Sequence, residues 1–285
     1  MNHEAWTDAQ TEATVTVDGH ELSMAYYDGG DREADEILVF LHGIPTWSFL
    51  WREVAPAFED DQRVIVPDLV GYGNSAGGEG FDRSIRAQEG AVEDLLDGIG
   101  VGAVTVVAHD IGGGVALRLA AHTDRVDRLV MSNAVCYDSW PVEFVATLGL
   151  PSTAEMADDE FEAKLDFAFA EGAYGEADPA FVEGMKEPWL REGGKRALAR
   201  AAVATNTNHT TEIAYEDVDA ELLCLWAEAD AMQPIAWGER LADELGGEVV
   251  PLADAYHWVV EDRPDAYREE LRRFLTETDT TPGGE

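Results

Sequence analysis

The sequence predicts a mostly parallel, doubly wound α/β sheet with an inserted helical cap. Short apolar runs alternate with helical patterns from Ile37 to Ser132, and this alternation resumes at Glu221. Between about Cys136 and Tyr215 the strand patterns stop, and large apolar residues recur in helical or irregular segments. We therefore expect a core domain formed by residues 1–135 and 216–285, and a cap domain formed by residues 136–215.

The elements of the core follow from local patterns. An antiparallel hairpin is expected first, because two alternating runs flank Asp18-Gly19. The other expected strands are Ile37–Leu41, Arg63–Pro67, Ala103–Ala108, Asp127–Ser132, Glu221–Trp226 and Val249–Leu252. The expected helices are Trp47–Phe58, Ile85–Ile99, Ile111–His122, Ile235–Leu245 and Pro264–Thr276. An irregular end is expected over Glu277–Glu285.

The charge of the chain is extreme. Its 58 acidic and 19 basic residues give a formal net charge of −39. The acids are spread among periodic apolar positions, which favours a folded protein with an acidic surface over a disordered acidic tail. Because molar salt screens such repulsion to within about 3 Å, we hypothesise a salt-rich cytoplasm. The charge argues against nucleic acid and anionic membranes as partners.

Other compositional features suggest a cytoplasmic protein. No apolar run approaches the length of a membrane span, and the first ten residues lack the basic-then-apolar layout of a secretion signal. Cys136 and Cys224 lie far apart in the sequence, and we interpret them as unpaired thiols. The sequence does not exclude a homo-oligomer.

The most informative segment runs from Val106 to Gly114. It places Asp110 between the small residues Ala108 and Gly112, after a β-branched run and before a glycine-rich helix start. This is the pattern of a nucleophile elbow, with aspartate where most such turns carry serine. A carboxylate needs no base to activate it, so Asp110 is the candidate nucleophile. The alternative is that Asp110 only caps the following helix.

Three further groups follow predicted strands, where open α/β sheets place their sites. The backbone N–H of Ile44, after His42-Gly43, is a candidate oxyanion donor together with that of Ile111. His257 is the candidate general base, and Asp230 the acid that orients its imidazole, with Glu228 as a nearby competitor. His42 and His109 are interpreted as structural residues.

These segments resemble haloalkane dehalogenases of the α/β-hydrolase superfamily. The resemblance rests on His42-Gly43-Ile44-Pro45-Thr46-Trp47-Ser48-Phe49-Leu50-Trp51-Arg52, on the loop Asp68-Leu69-Val70-Gly71-Tyr72-Gly73-Asn74-Ser75 and on His109-Asp110 with its glycines. It covers the hydrolase core and is weak in the cap. It implies an α/β-hydrolase fold with nucleophile Asp110, acid Asp230 and base His257, in the chain order of that superfamily.

Two departures concern the leaving group. The dehalogenases usually carry tryptophan directly after the nucleophile and often asparagine or glutamate after His-Gly, whereas this chain has Ile111 and Ile44. Isoleucine side chains donate no hydrogen bond. Halide stabilisation is therefore expected from backbone N–H groups, or from Trp140 and Trp189 in the cap.

The reaction expected is displacement at sp3 carbon through an ester on Asp110, which water activated by His257 then hydrolyses. It requires neither a metal nor an organic cofactor, and its substrate is a small apolar organic molecule. Haloalkane dehalogenase is the leading interpretation. An epoxide hydrolase is the alternative, because Tyr137, Tyr174 and Tyr215 lie in or beside the cap and the related epoxide hydrolases use two cap tyrosines. A non-catalytic receptor on the same scaffold is a third interpretation.

Overall fold

A computed structural model describes residues 1–205 and 208–278 of the chain. Its centre is a single eight-stranded sheet in the order β1-β2-β4-β3-β5-β6-β7-β8. The strands are β1 Gln10–Val17, β2 His20–Gly29, β3 Ile37–Leu41, β4 Arg63–Pro67, β5 Val104–His109, β6 Val126–Ser132, β7 Glu221–Ala227 and β8 Glu248–Leu252. β1 and β2 form the expected antiparallel hairpin, β2 pairs antiparallel with β4, and the other pairs are parallel.

The parallel strands lie in the hydrophobic core. Every residue of β5 is buried, as is every residue of β4, which agrees with strands covered on both faces. The parallel register brings the C-terminal ends of β3, β5, β6, β7 and β8 to the same edge of the sheet. The loops that leave this edge carry the candidate site residues.

Helices occupy the connections. Their ranges are α1 His3–Ala9, α2 Ile85–Gly98, α3 Ile111–His122, α4 Glu143–Leu148, α5 Pro151–Glu155, α6 Asp158–Glu171, α7 Pro179–Leu190, α8 Gly194–Thr205, α9 Ala236–Leu245, α10 Val259–Asp262 and α11 Pro264–Thr278. Helices α4 to α8 all lie between β6 and β7, within the range expected for the cap. In the part of the chain that the structure describes, no helix is long and apolar enough to cross a membrane.

Three local expectations were wrong. Helix α1 was not expected; it buries Trp6, whose indole Nε1 donates to Ser48 Oγ at 2.9 Å. The segment Trp47–Phe58 is not one helix but two short 3-10 turns, Ser48–Trp51 and Ala55–Phe58, the second entered through a proline. Glu277 and Thr278, expected in the irregular end, belong to α11, and residues 279–285 lie outside the described ranges.

Candidate active site

Asp110 occupies the turn between β5 and α3. Its backbone has φ 52° and ψ −124°, a conformation that non-glycine residues rarely adopt and that costs on the order of 1–3 kcal/mol. A Cβ at Gly112 would lie 2.6 Å from the backbone oxygens of Leu41 and His42, so only glycine fits there. The turn therefore has the geometry of the nucleophile elbow that the small residues predict.

The carboxylate of Asp110 faces the loop after β3. Its Oδ1 accepts a hydrogen bond from the Ile44 N–H at 2.8 Å, and the backbone N–H of Ile111 also stabilises the charged form. Gly43 permits this approach, because a Cβ there would lie 2.3 Å from Asp110 Oδ1. The two expected oxyanion donors thus both interact with this carboxylate.

The second oxygen of Asp110 faces His257. Asp110 Oδ2 lies 3.8 Å from His257 Nε2, and His257 Nδ1 lies 2.8 Å from Asp230 Oδ2. All three residues are buried. The structure brings together the predicted nucleophile, base and acid, each at the C-terminal edge of the sheet. The competitor Glu228 is exposed, which excludes it from this cluster.

Asn133 is a site residue that the sequence analysis missed. It follows β6 with φ 46°, its Nδ2 donates to Asp230 Oδ2 at 2.6 Å, and its Oδ1 accepts from the Ala227 N–H. Asp230 Oδ1 accepts from the Met232 N–H at 2.7 Å. These donors hold the carboxylate in place beside the imidazole. The position of Asn133 directly after a parallel strand was the available signal.

The electrostatics suit a buried ion pair that can transfer protons. Burial raises the pKa of Asp110 above its ordinary value, although His257 and the two N–H groups oppose this. Burial lowers the pKa of His257, but Asp230 and Asp110 outweigh it, and the result lies above the ordinary 6.5. For Asp230, burial raises the pKa, but His257, Asn133 and the Met232 N–H outweigh it and lower the pKa.

A cavity of about 540 Å³ opens onto these residues. Its walls are mainly apolar, and its size is typical of small-molecule sites. The apolar lining includes Ile44, Pro45, Trp140, Val142, Phe144, Val145, Phe167, Met232 and Trp258. A larger cleft of about 640 Å³ lies beside α7 and α8, but Asp110, Asp230 and His257 do not line it. The chemistry therefore favours the smaller cavity as the substrate site.

The two expected tryptophan contacts require correction. Trp140 lines the cavity, but its Nε1 donates to the Thr205 backbone oxygen at 2.7 Å. Trp189 does not line that cavity, and its Nε1 donates to the Pro45 backbone oxygen. Neither N–H is free for a leaving group. Both indole N–H groups donate to backbone carbonyls of distant segments, and no local sequence pattern indicates such partners.

The three cap tyrosines also have other partners. Tyr137 Oη donates to Glu244 Oε2 at 2.8 Å, and Tyr215 Oη donates to the Thr210 backbone oxygen. Tyr174 is half exposed, and its phenol bonds Asp254. None of the three lines the cavity that contains Asp110. The paired phenols that an epoxide hydrolase would use are therefore not found at these positions.

His42, His109 and the two cysteines are buried. His42 Nδ1 contacts the Gly43 backbone oxygen at 2.8 Å, and its Nε2 accepts from the Leu69 N–H. It therefore organises residues 42–47 after β3, which we call the oxyanion loop. His109 is buried with its ring centroid 4.8 Å from that of His257. Cys136 and Cys224 are free and buried. Among the described residues, no group of three or more His, Cys, Asp or Glu could hold a metal.

Comparisons with known proteins agree with the fold. A family model described as alpha/beta hydrolase fold matches residues 36–181, more than half of the chain. A cis-3-alkyl-4-alkyloxetan-2-one decarboxylase of Xanthomonas campestris is 27% identical over 89% of this chain and 92% of its own length. A haloalkane dehalogenase of Mycolicibacterium paratuberculosis is 37% identical, but over only 41% of this chain and 39% of its own. An alpha/beta hydrolase fold protein of Burkholderia ambifaria superposes with a TM-score of 0.82 at 25% identity, covering 91% of this chain and 96% of its own.

Proposed function

The chain belongs to the alpha/beta hydrolase family, and from this premise we propose that it hydrolyses small apolar molecules at a saturated carbon through an ester on Asp110. The observation that carries the proposal is the pair of contacts at this carboxylate. Oδ1 accepts the Ile44 N–H, Oδ2 faces His257 Nε2, and the Ile111 N–H also bonds the carboxylate. This arrangement suits a carboxylate nucleophile that later becomes an ester carbonyl.

In the first step, Asp110 Oδ2 attacks the carbon that bears the leaving group. A C–O bond forms as the bond to the leaving group breaks, and its electron pair departs with that group. A mixed anhydride would result from attack on an acyl ester, whereas attack on saturated carbon gives an ordinary alkyl ester. Carboxylate attack is therefore suited to displacement at saturated carbon.

In the second step, water attacks Cγ of the ester while His257 Nε2 accepts its proton. Negative charge develops on Oδ1, where the N–H groups of Ile44 and Ile111 stabilise it. One such donor is worth about 2.7–4 kcal/mol in other enzymes. Asp230 stabilises the imidazolium, which returns the proton to the departing alcohol.

We propose that the leaving group departs as a stable anion, and that a halide is the leading case, so the enzyme is a haloalkane dehalogenase. An epoxide oxygen leaves as an alkoxide and needs an acid, but the expected cap phenols bond Glu244, Thr210 and Asp254 instead. Tyr256 lines the cavity and is the phenol that an epoxide hydrolase could still use. The epoxide interpretation is therefore the weaker one.

A second candidate substrate is a four-membered lactone. The Xanthomonas campestris relative that matches nearly the whole chain is named for an alkyl-substituted oxetan-2-one. Displacement at the alkyl carbon of such a ring would release a carboxylate, which, like a halide, needs no acid. The contacts of Asp110 support both substrates equally.

The test is a panel of bromoalkanes, epoxides and alkyl oxetan-2-ones with wild-type enzyme and the His257→Phe variant. We expect the variant to accumulate an alkylated Asp110, seen as a mass increase on its peptide, because the ester forms but cannot be hydrolysed. Asp110→Asn is the control and should show no adduct. An active wild type whose His257→Phe variant traps no adduct would contradict the mechanism.

A further inference from the structure

In the part of the chain that the structure describes, a buried side chain on the wall of the apolar cavity has unmatched hydrogen-bonding groups. Gln233, in the loop between β7 and α9, is fully buried and lines the cavity together with Asp110 and His257. Among the described residues, its Oε1 has no hydrogen-bond partner, and its Nε2 reaches only the Ser139 backbone oxygen, at 3.4 Å. A carboxamide has two N–H donors, so at least one remains unused.

The backbone of Gln233 is firmly held. Its carbonyl oxygen accepts a hydrogen bond from Trp226 Nε1 at 2.7 Å, and Pro234 follows it. By contrast, Gln88 shows how this fold satisfies a structural carboxamide: its Oε1 and Nε2 bond the N–H and oxygen of Val70, both at 2.9 Å. A buried amide without such partners is costly to the fold. A ligand in the cavity that accepts the second Nε2–H would satisfy one of these groups.

Apart from the phenol of Tyr256, which is exposed to solvent, the other polar groups on the cavity wall have little donor capacity left. Trp140 and Trp258 donate their indole N–H groups to Thr205 and Phe169, and the Ile44 N–H donates to Asp110. Glu171 can only accept when it is charged. Among the described residues that line the cavity, Gln233 is thus a fully buried side chain with an N–H to spare.

We propose that the carboxamide of Gln233 binds the leaving group, so that one N–H donates to the halide or carboxylate as it departs. This inference rests on the proposed function. No covalent bond at Gln233 changes, since the electron pair leaves with the anion and the amide only solvates it. Gln233 lies three residues after Asp230, so a single loop would orient the base and receive the anion.

The variant that tests this is Gln233→Met, which keeps similar length and removes both N–H groups. In the His257→Phe background, ester formation is followed by mass spectrometry with 1-chlorohexane and 1-bromohexane in a chloride-free buffer. We expect at least a tenfold slower reaction, with a larger loss for the chloride. Chloride is the poorer leaving group and accepts the stronger hydrogen bond, so it depends more on a donor.

The matched control is Gln62→Met, which makes the same substitution at a partly buried glutamine that does not line the cavity. It should slow both halides equally or not at all. The thermal unfolding midpoint of Gln233→Met should not fall, because the variant removes the unsatisfied Oε1 and loses only the long 3.4 Å contact with Ser139. A lowered midpoint, or an equal loss for the two halides, would overturn the inference in favour of a structural role.

A second measurement needs no turnover. Bromide is titrated into wild type and Gln233→Met, and binding is followed by the fluorescence of the cavity tryptophans. We expect weaker bromide binding in the variant, and equal binding would overturn the inference. If the parent forms no ester with either halide, the proposed dehalogenase activity fails, and the bromide titration still decides whether Gln233 is an anion contact.

Discussion

The side chain of Asp110 is positioned mainly by the backbone around it. The positive φ of Asp110 turns the chain sharply at the end of β5, and Gly43 lets the opposing loop come within hydrogen-bond distance of the carboxylate. Gly43 and Gly112, the two glycines packed around this turn, thus determine where the carboxylate of Asp110 lies. A larger side chain at either position would displace the Asp110 carboxylate before it disturbed the sheet.

Gly43→Ala tests this directly. The added Cβ would meet Asp110 Oδ1 at 2.3 Å, so we expect the carboxylate to move and ester formation to slow roughly 100-fold, as for other misplacements of about 1 Å. Gly102→Ala is the matched control, because nothing lies within 4 Å of a Cβ there. Unchanged rates in the Gly43→Ala variant would contradict this prediction, because they would show that the loop moves without displacing the carboxylate.

His257 should titrate above its ordinary pKa. Asp230 and Asp110 favour its charged form, and below its pKa the imidazole is protonated and cannot accept a proton from water. The rate of ester hydrolysis should therefore fall as pH decreases through that pKa. Conversion of Asp110 to a neutral ester removes one of the two negative charges, which lowers the pKa and frees the base when it is needed.

We expect Asp110→Asn, which mimics the neutral ester, to lower the pKa of His257 relative to wild type in an NMR titration. Asp230→Asn should lower it as well and should reduce kcat by roughly 10³- to 10⁴-fold, as loss of the orienting carboxylate does in other triads. Glu171→Gln, which changes a different carboxylate on the cavity wall, is the control. A His257 pKa that is insensitive to Asp110→Asn would refute the coupling.

At the scale of elements, α7 is attached to the oxyanion loop by two indoles. Trp47 Nε1 donates to the Gly184 backbone oxygen at 2.9 Å, and Trp189 Nε1 donates to the Pro45 backbone oxygen. Trp47 in the loop thus donates to the helix, and Trp189 in the helix donates to the loop. These bonds hold Pro45, the residue next to Ile44, so α7 supports the proposed oxyanion site although none of its described residues lines the cavity.

Trp189→Phe should weaken this attachment. It removes the N–H but keeps an aromatic ring, leaving the Pro45 oxygen unsatisfied at a cost of about 1–3 kcal/mol. We expect lower thermal stability. We also expect hydrolysis of the ester to slow more than its formation, because the Ile44 N–H acts on the oxyanion. The control is Trp237→Phe. Trp237 is a partly buried tryptophan outside α7, so this variant should leave the ratio of the rates of ester formation and ester hydrolysis unchanged.

At the scale of the whole molecule, charge is the dominant property. A net charge of −39 on 285 residues opposes the compact state through self-repulsion. Many of the few basic residues already pair with acids, as Arg118 does with Glu89 and Arg63 with Asp28. Most acidic residues therefore depend on dissolved cations for their screening.

We propose that the protein is adapted to high salt, and we expect its unfolding temperature to rise between 0.1 M and 3 M KCl. A variant with three exposed acids neutralised, Glu216→Gln, Asp219→Asn and Asp243→Asn, should show a smaller rise, because less repulsion remains to be screened. Differential scanning calorimetry measures both. A wild type equally stable and active at the two salt concentrations would contradict this adaptation.

The sequence by itself determined the sheet and the sharp turn at Asp110. It also determined that Asp110, Asp230 and His257 lie at one edge of the sheet. Strand patterns are local, and Asp110, Asp230 and His257 each directly follow a strand or its loop, so the parallel register necessarily brings them to one edge. Only the tertiary structure decided which polar groups remain free. Trp140, Trp189 and Tyr137 are bonded to partners 65, 144 and 107 residues away, while Gln233 is not matched. Hydrogen-bond partners so distant in sequence leave no local pattern, because they depend on how the elements pack.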